Sequence, residues 1–122
     1  MKQLLLFLGI GLWFNTLAQN TKQYLFPIQE KNRIGFMDNK GNVLIKPQFR
    51  STGLFSEGLI AVRMNGLYGY VDATGTYVIK PQYEFASDFH EGYAIVAKNS
   101  ISSYINKRGE SPFATSLSLI HI

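Results

Sequence analysis

The stretch RIGFMDNKGNVLIKPQFRSTGLFSEGLIAVRMNG, residues 33–66, is followed at once by LYGYVDATGTYVIKPQYEFASDFHEGYAIVAKNS, residues 67–100. Laid over each other without a gap, the two share twelve identities in 34 positions. The identical pairs are Gly35/Gly69, Asp38/Asp72, Gly41/Gly75, Ile45/Ile79, Lys46/Lys80, Pro47/Pro81, Gln48/Gln82, Phe55/Phe89, Glu57/Glu91, Gly58/Gly92, Val62/Val96 and Asn65/Asn99. Phe36/Tyr70, Met37/Val71, Leu44/Val78 and Phe49/Tyr83 are conservative. A fixed period of this length marks a repeat architecture.

Helical repeat arrays also run at about 34 residues, so the type of unit has to be decided. Here glycines and a proline recur at fixed places, and most intervals between them are too short for a pair of helices. The residues between are rich in Val, Ile, Tyr and Phe, which favour strands. Asp38-Asn39-Lys40-Gly41 and Asp72-Ala73-Thr74-Gly75 both read D-x-x-G. Asp suits the first place of a type I turn and Gly the fourth, so each predicts a hairpin. Strand 34–38 pairs with 42–46, and 68–72 with 76–80. Pro47 and Pro81 are expected to end those strands, because proline cannot donate to a ladder. Residues 48–58 and 82–92 read as connectors ending in F-x-E-G, and strands resume at 59–63 and 93–97.

Extending the register backwards sets Leu25 over Leu59 and Ile28 over Val62. Extending it forwards sets 103–106 over 69–72 and Gly109 over Gly75. The reading is an all-β chain of tandem three-stranded antiparallel meanders, at about 24–46, 59–80 and 93–113. It is an open array, either a partial propeller or a solenoid, since three short units cannot close a propeller of at least about four blades. The third unit has decayed: Ser103 replaces the glycine and Asn106 the aspartate, and the V-I-K-P-Q stretch has no clear counterpart. Residues 114–122 match nothing else in the chain. They read either as part of an atypical cap or as the mark of a truncated or frame-shifted longer array.

I-G-F-M-D-x-x-G-x-V-L-I-K-P-Q-F with F-S-E-G-L-I-A-V resembles the WG-containing (KWG) bacterial β repeat. So does Y-G-Y-V-D-x-x-G-x-Y-V-I-K-P-Q-Y with F-H-E-G-Y-A-I-V. The resemblance runs from Arg33 to about Gly109. It implies an all-β repeat domain, over residues 19–113, of a kind often found in secreted or envelope-associated bacterial proteins. Protein interaction is the role usually inferred for it, and it carries no catalytic residues to transfer. The tryptophan before the family's glycine is Ile34, Tyr68 and Ser102 in the three units, so the chain resembles a divergent member.

Residues 1–18 read as an exported protein's signal peptide. A short start with Lys2 precedes an apolar run from Leu4 to Phe14, then a small-residue site with cleavage between Ala18 and Gln19. The run is too short for a membrane anchor, which needs roughly 20 apolar residues. The only tryptophan, Trp13, falls in this segment. The expected location is secreted or periplasmic, with no membrane span after signal removal. The chain has no cysteine, which excludes disulfide staples, cysteine zinc sites, thiol catalysis and a lipid-anchored cysteine. The remaining chain carries eleven Lys/Arg against eight Asp/Glu, scattered without a run, so no nucleic-acid partner is expected.

The candidate chemistry dissolves into the repeat. Asp38 and Asp72 are turn residues, and one active site needs no copy in each unit. Glu57 and Glu91 are paired by the repeat and are expected to bond backbone amides near Gly58 and Gly92. His90 is Ser56 in the sister unit, a variable and exposed place rather than a metal ligand. No G-x-S-x-G and no phosphate loop is present. No catalytic, cofactor or metal site is therefore expected. The positions that carry the repeat are Gly35, Asp38, Gly41, Pro47, Phe55, Glu57, Gly58, Gly69, Asp72, Gly75, Pro81, Phe89, Glu91 and Gly92. Tyr68 and Tyr70 share one strand face and form a candidate binding face, with packing between units as the competing role. The functional expectation is an exported, non-enzymatic protein-interaction module at the cell envelope or outside the cell. The alternatives are an envelope carbohydrate-binding module, with a glycan as ligand, or a fragment of a longer array. Exposed sheet edges also suggest a homo-oligomer.

Overall fold

The computed structural model describes residues 22–112. The signal segment with Ala18 and Gln19, Phe113, and the tail 114–122 lie outside them. The described residues contain ten strands and no helix. They form three antiparallel sheets that do not close into a barrel. The first sheet holds β1 (Phe26–Glu30), β2 (Arg33–Met37) and β3 (Val43–Phe49) in that order. The second holds β4 (Ser51–Thr52), β5 (Ile60–Met64), β6 (Leu67–Val71) and β7 (Tyr77–Tyr83). The third holds β8 (Phe85–Ala86), β9 (Ala94–Lys98) and β10 (Ile101–Ile105), with β9 in the middle.

The strands lie where the repeat places them, with three differences. Pro47 and Pro81 do not end strands; they lie inside β3 and β7. Ile34 pairs with Phe49 and Phe36 with Ile45, so Gly35 alone faces residues 46–48. At such a bulge the proline nitrogen needs no ladder partner, and the strand runs on. The connectors are not bare loops either: β4 and β8 lie in them and pair with β5 and β9. A single residue, Arg50 or Glu84, carries the chain from one sheet to the next. In the third unit no strand follows β10 among the described residues. Its sheet is completed by β8 on the opposite edge.

The turn chemistry explains the hairpins. Asp38 Oδ1 accepts the N–H groups of Lys40 and Asn42, each at 2.9 Å. Asp72 Oδ1 accepts Thr74 N–H at 2.9 Å and Thr76 N–H at 3.2 Å. In the third unit Asn106 Oδ1 accepts from Arg108 and Glu110 at 3.0 Å, so the Asn keeps the same turn. Glu57-Gly58 and Glu91-Gly92 have positive φ at both places, and short bridges Ser56–Leu59 and His90–Tyr93 close over them. F-x-E-G is thus a two-residue hairpin turn of the primed kind. Asn65-Gly66 is another, joining β5 to β6.

Two cores result, one at each junction between sheets. The first joins Leu25, Phe36, Ile45, Phe49, Ile60, Val62 and Val71. The second contains Leu59, Tyr70, Ile79, Tyr83, Ala94, Val96 and Ile105, each one repeat further on, together with Ala61 and Phe89. β5 serves both cores, Ile60 and Val62 facing back and Ala61 facing forward. Each unit therefore buries its forward face only against the next unit, as repeat stacking requires.

Candidate functional site

The turn acids do structural work. The carboxyl of Asp38 is held below the usual aspartate range, first by the backbone N–H of Asn42. That of Asp72 is lowered first by the Thr74 hydroxyl, which donates to it at 2.6 Å. Glu110 is lowered first by the Asn106 side-chain amide, at 2.9 Å. These groups are ionised and satisfied near neutral pH, which is the wrong preparation for a general acid. Among the described residues no three His, Asp or Glu side chains converge as a metal site.

Glu57 bonds a turn amide of the neighbouring unit. Of the amides expected for the two repeat-paired acids, its Oε1 accepts the N–H of Gly92, one repeat away, at 2.8 Å. Lys107 Nζ lies 3.4 Å from the same oxygen. The Gly92 amide is the leading cause holding the Glu57 carboxyl below the usual glutamate range. Neighbouring contacts also cross the junction. Ser56 Oγ donates to the Phe89 carbonyl at 2.6 Å, and Leu54 N–H donates to Asp88 Oδ1 at 3.0 Å. The F-x-E-G motif therefore latches one unit to the next. The 35-residue separation of Glu57 from Gly92 hides from a local reading which of the two acids serves that amide.

Tyr68 and Tyr70 do not form an exposed binding face. Tyr70 is fully buried, edge-on to Phe89 with ring centroids 4.8 Å apart. Its hydroxyl donates to the Ser87 carbonyl at 2.7 Å, and burial pushes its pKa up. Tyr68 is half-buried against the same core, its hydroxyl 3.1 Å from Ser51 Oγ. The second unit is inside the array, so its forward face is covered by the third. Ile34, at the other tryptophan position, packs against the first core, while Ser102 is exposed. His90 is exposed.

Among the described residues the forward face is more exposed at the end of the array than in its middle. Ala61 is 1% exposed, but its counterpart Ile95 is 41% exposed. Tyr70 is 0% exposed and its counterpart Tyr104 is 42%. At the other end, Ile60 is 0% exposed and its counterpart Phe26 44%. Repeat equivalence, together with the covering of faces that only the stacked sheets show, thus moves the candidate surface from the middle unit to both ends.

The WG containing repeat model matches the chain at residues 34–68 and 68–100, two adjacent copies across both junctions. The chain belongs to the WG-repeat family. Each matched copy begins at a tryptophan position, Ile34 or Tyr68, and runs across a junction from one sheet into the next. No match is found among curated proteins or solved structures. Among the described residues of this WG-repeat chain no helix is long and apolar enough to cross a membrane.

Proposed function

We propose that this WG-repeat chain is an exported, non-enzymatic interaction module whose end faces mate with another repeat unit. The contrast between buried Ala61 and exposed Ile95, the same position one repeat apart, carries the reading. The internal junction shows what such a face binds: the back of a sheet bearing apolar residues at the places of Ala94, Val96 and Ile105. Phe26, Ile28 and Met37 stand at those places on the first sheet, so a second copy, head to tail, is the partner. Such contacts are heterologous and repeat along a line. The basic-then-apolar start of the sequence supports export. A glycan platform of Tyr68 and Tyr70 has less support, because Tyr70 faces the core.

Sedimentation over a range of concentrations tests this. The mass should rise above that of the monomer, and Ile95→Lys should return it to monomer without loss of β signal. A wild-type chain that stays monomeric throughout, or an Ile95→Lys chain that associates equally, would sink the reading. Cell fractionation and the mass of the recovered N-terminus test export, with cleavage expected between Ala18 and Gln19.

A further inference from the structure

We propose that the groove over the first junction binds side-chain carboxylates of an acidic peptide segment. Three arginines meet there for a topological reason. Arg50 is the single residue between β3 and β4, Arg63 is the register partner of the adjacent Ser51, and Arg33 precedes Ile34, the partner of Phe49. The groove encloses about 690 Å³ and is also lined by Gln48, Asn65 and Gly66. Among the described residues none of the three guanidinium groups forms an ion pair. Glu30 stands opposite Arg33 in the β1–β2 register without forming one. Arg63 lies with its guanidinium carbon 6.0 Å from the Tyr68 ring centre.

The second junction shows what belongs in this place. There Arg33, Arg50, Arg63 and Gly66 are replaced by Leu67, Glu84, Ala97 and Ser100. Glu84 Oε1 accepts the N–H of Ser100 at 2.8 Å, so that junction supplies its own carboxylate over the hairpin turn. At the first junction the corresponding amide belongs to Gly66, and no described side chain accepts from it. A Cβ built on Gly66 would meet nothing within 4 Å, so the space above the turn is open. The internal carboxylate has been exchanged for an arginine and two more arginines added. A carboxylate entering from outside would accept the Gly66 N–H and pair with the planar guanidinium groups, which suit carboxylates bidentately. Three guanidinium groups exceed the need of a single acid, so the ligand carries several. Gln48 and Asn65 offer amides to an extended backbone, and Pro47 and Met64 give the groove an apolar wall. A peptide matches that mixture better than a bare polyanion. The inference rests on the reading of this chain as an interaction module and names a second surface for it.

Anisotropy titration of the full chain with a short labelled Glu-rich peptide, and with its Gln counterpart, tests the groove. The Glu peptide should bind, with affinity falling as salt rises. Arg50→Glu should weaken it roughly tenfold or more, by restoring the carboxylate that the second junction already holds. Arg63→Ala, which also copies the second junction, should weaken it in the same direction. Unchanged affinity in both variants, or equal binding of the Gln peptide, overturns the site. Binding of oligogalacturonate or inorganic phosphate in place of the peptide overturns the peptide assignment. Ile95→Lys should leave peptide affinity unchanged while abolishing self-association, so this site and the end-face reading fail separately.

Discussion

Gly69 and Gly41 occupy similar hairpins but are retained for different reasons. A Cβ on Gly69 would come within 2.6 Å of the Ile79 carbonyl oxygen and of the Pro81 nitrogen, both backbone atoms that cannot rotate away. A Cβ on Gly41 would meet nothing within 4 Å, and only its positive φ of 87° asks for glycine. Gly69→Ala should therefore cost about 1–3 kcal/mol, the range of overpacked sites. Gly41→Ala should cost about 1 kcal/mol, the cost of a left-handed residue. Chemical denaturation of the two variants checks the order, and a larger loss at Gly41 would contradict the close-packed bulge. Glu57 makes a pH prediction. Its folded pKa lies below its unfolded value, so the unfolded chain binds more protons in acid. The stabilising share is present above the unfolded value, about 4.3, and is lost as pH falls through the folded one. Thermal midpoints between pH 7 and 3 should fall less steeply in Glu57→Gln than in wild type. Parallel slopes would show that the bond to Gly92 carries no linkage.

Much of the secondary structure was legible because its causes are local. D-x-x-G specifies a turn from four residues, and β-formers on either side supply the strands that it joins. Pro47 misled because the rule against proline in a ladder holds only where the N–H is needed. The bulge opposite Gly35 removes that need, and its register is a property of two strands. β4 was invisible for the same reason, since Ser51 and Thr52 become a strand only by pairing with Arg63 and Val62. Tyr70 was ambiguous because strand alternation says which residues share a face, not which face the next sheet covers. The same sheet-to-sheet contact sets the element-scale prediction. Phe89 follows β8, is 1% exposed and packs edge-on to Tyr70 of β6 across the second junction. Phe89→Ala should cost about 3–5 kcal/mol, by lost burial and the cavity left behind. Phe55, its counterpart, is only partly buried at the first junction, so Phe55→Ala should cost less. Equal losses would mean that the two junctions are not built alike around this position.

Across the whole molecule, burial is graded from the middle outward. In β5 three consecutive residues, Ile60, Ala61 and Val62, are buried, because one sheet covers each face. In β1 no residue is buried and in β10 only Ile105 is, because among the described residues each of their sheets has one neighbouring sheet. A stack that holds its units only by nearest-neighbour faces should open from its ends. Amide hydrogen exchange should therefore be slowest in β5 and β6 and fastest in β1 and β10 at low protein concentration. Uniform protection across the ten strands would mean that the array unfolds as one block and that the ends carry no special exposure. The same measurement at high concentration connects stability to association. If a second copy seats the back of its first sheet on the forward face of the third, both end sheets acquire a further neighbouring sheet. Protection in β1, β9 and β10 should then rise with concentration, while β5 and β6, already covered on both faces, should change little. A rise confined to β1 and β3, or spread evenly over all strands, would place the contact elsewhere and leave Ile95 outside it.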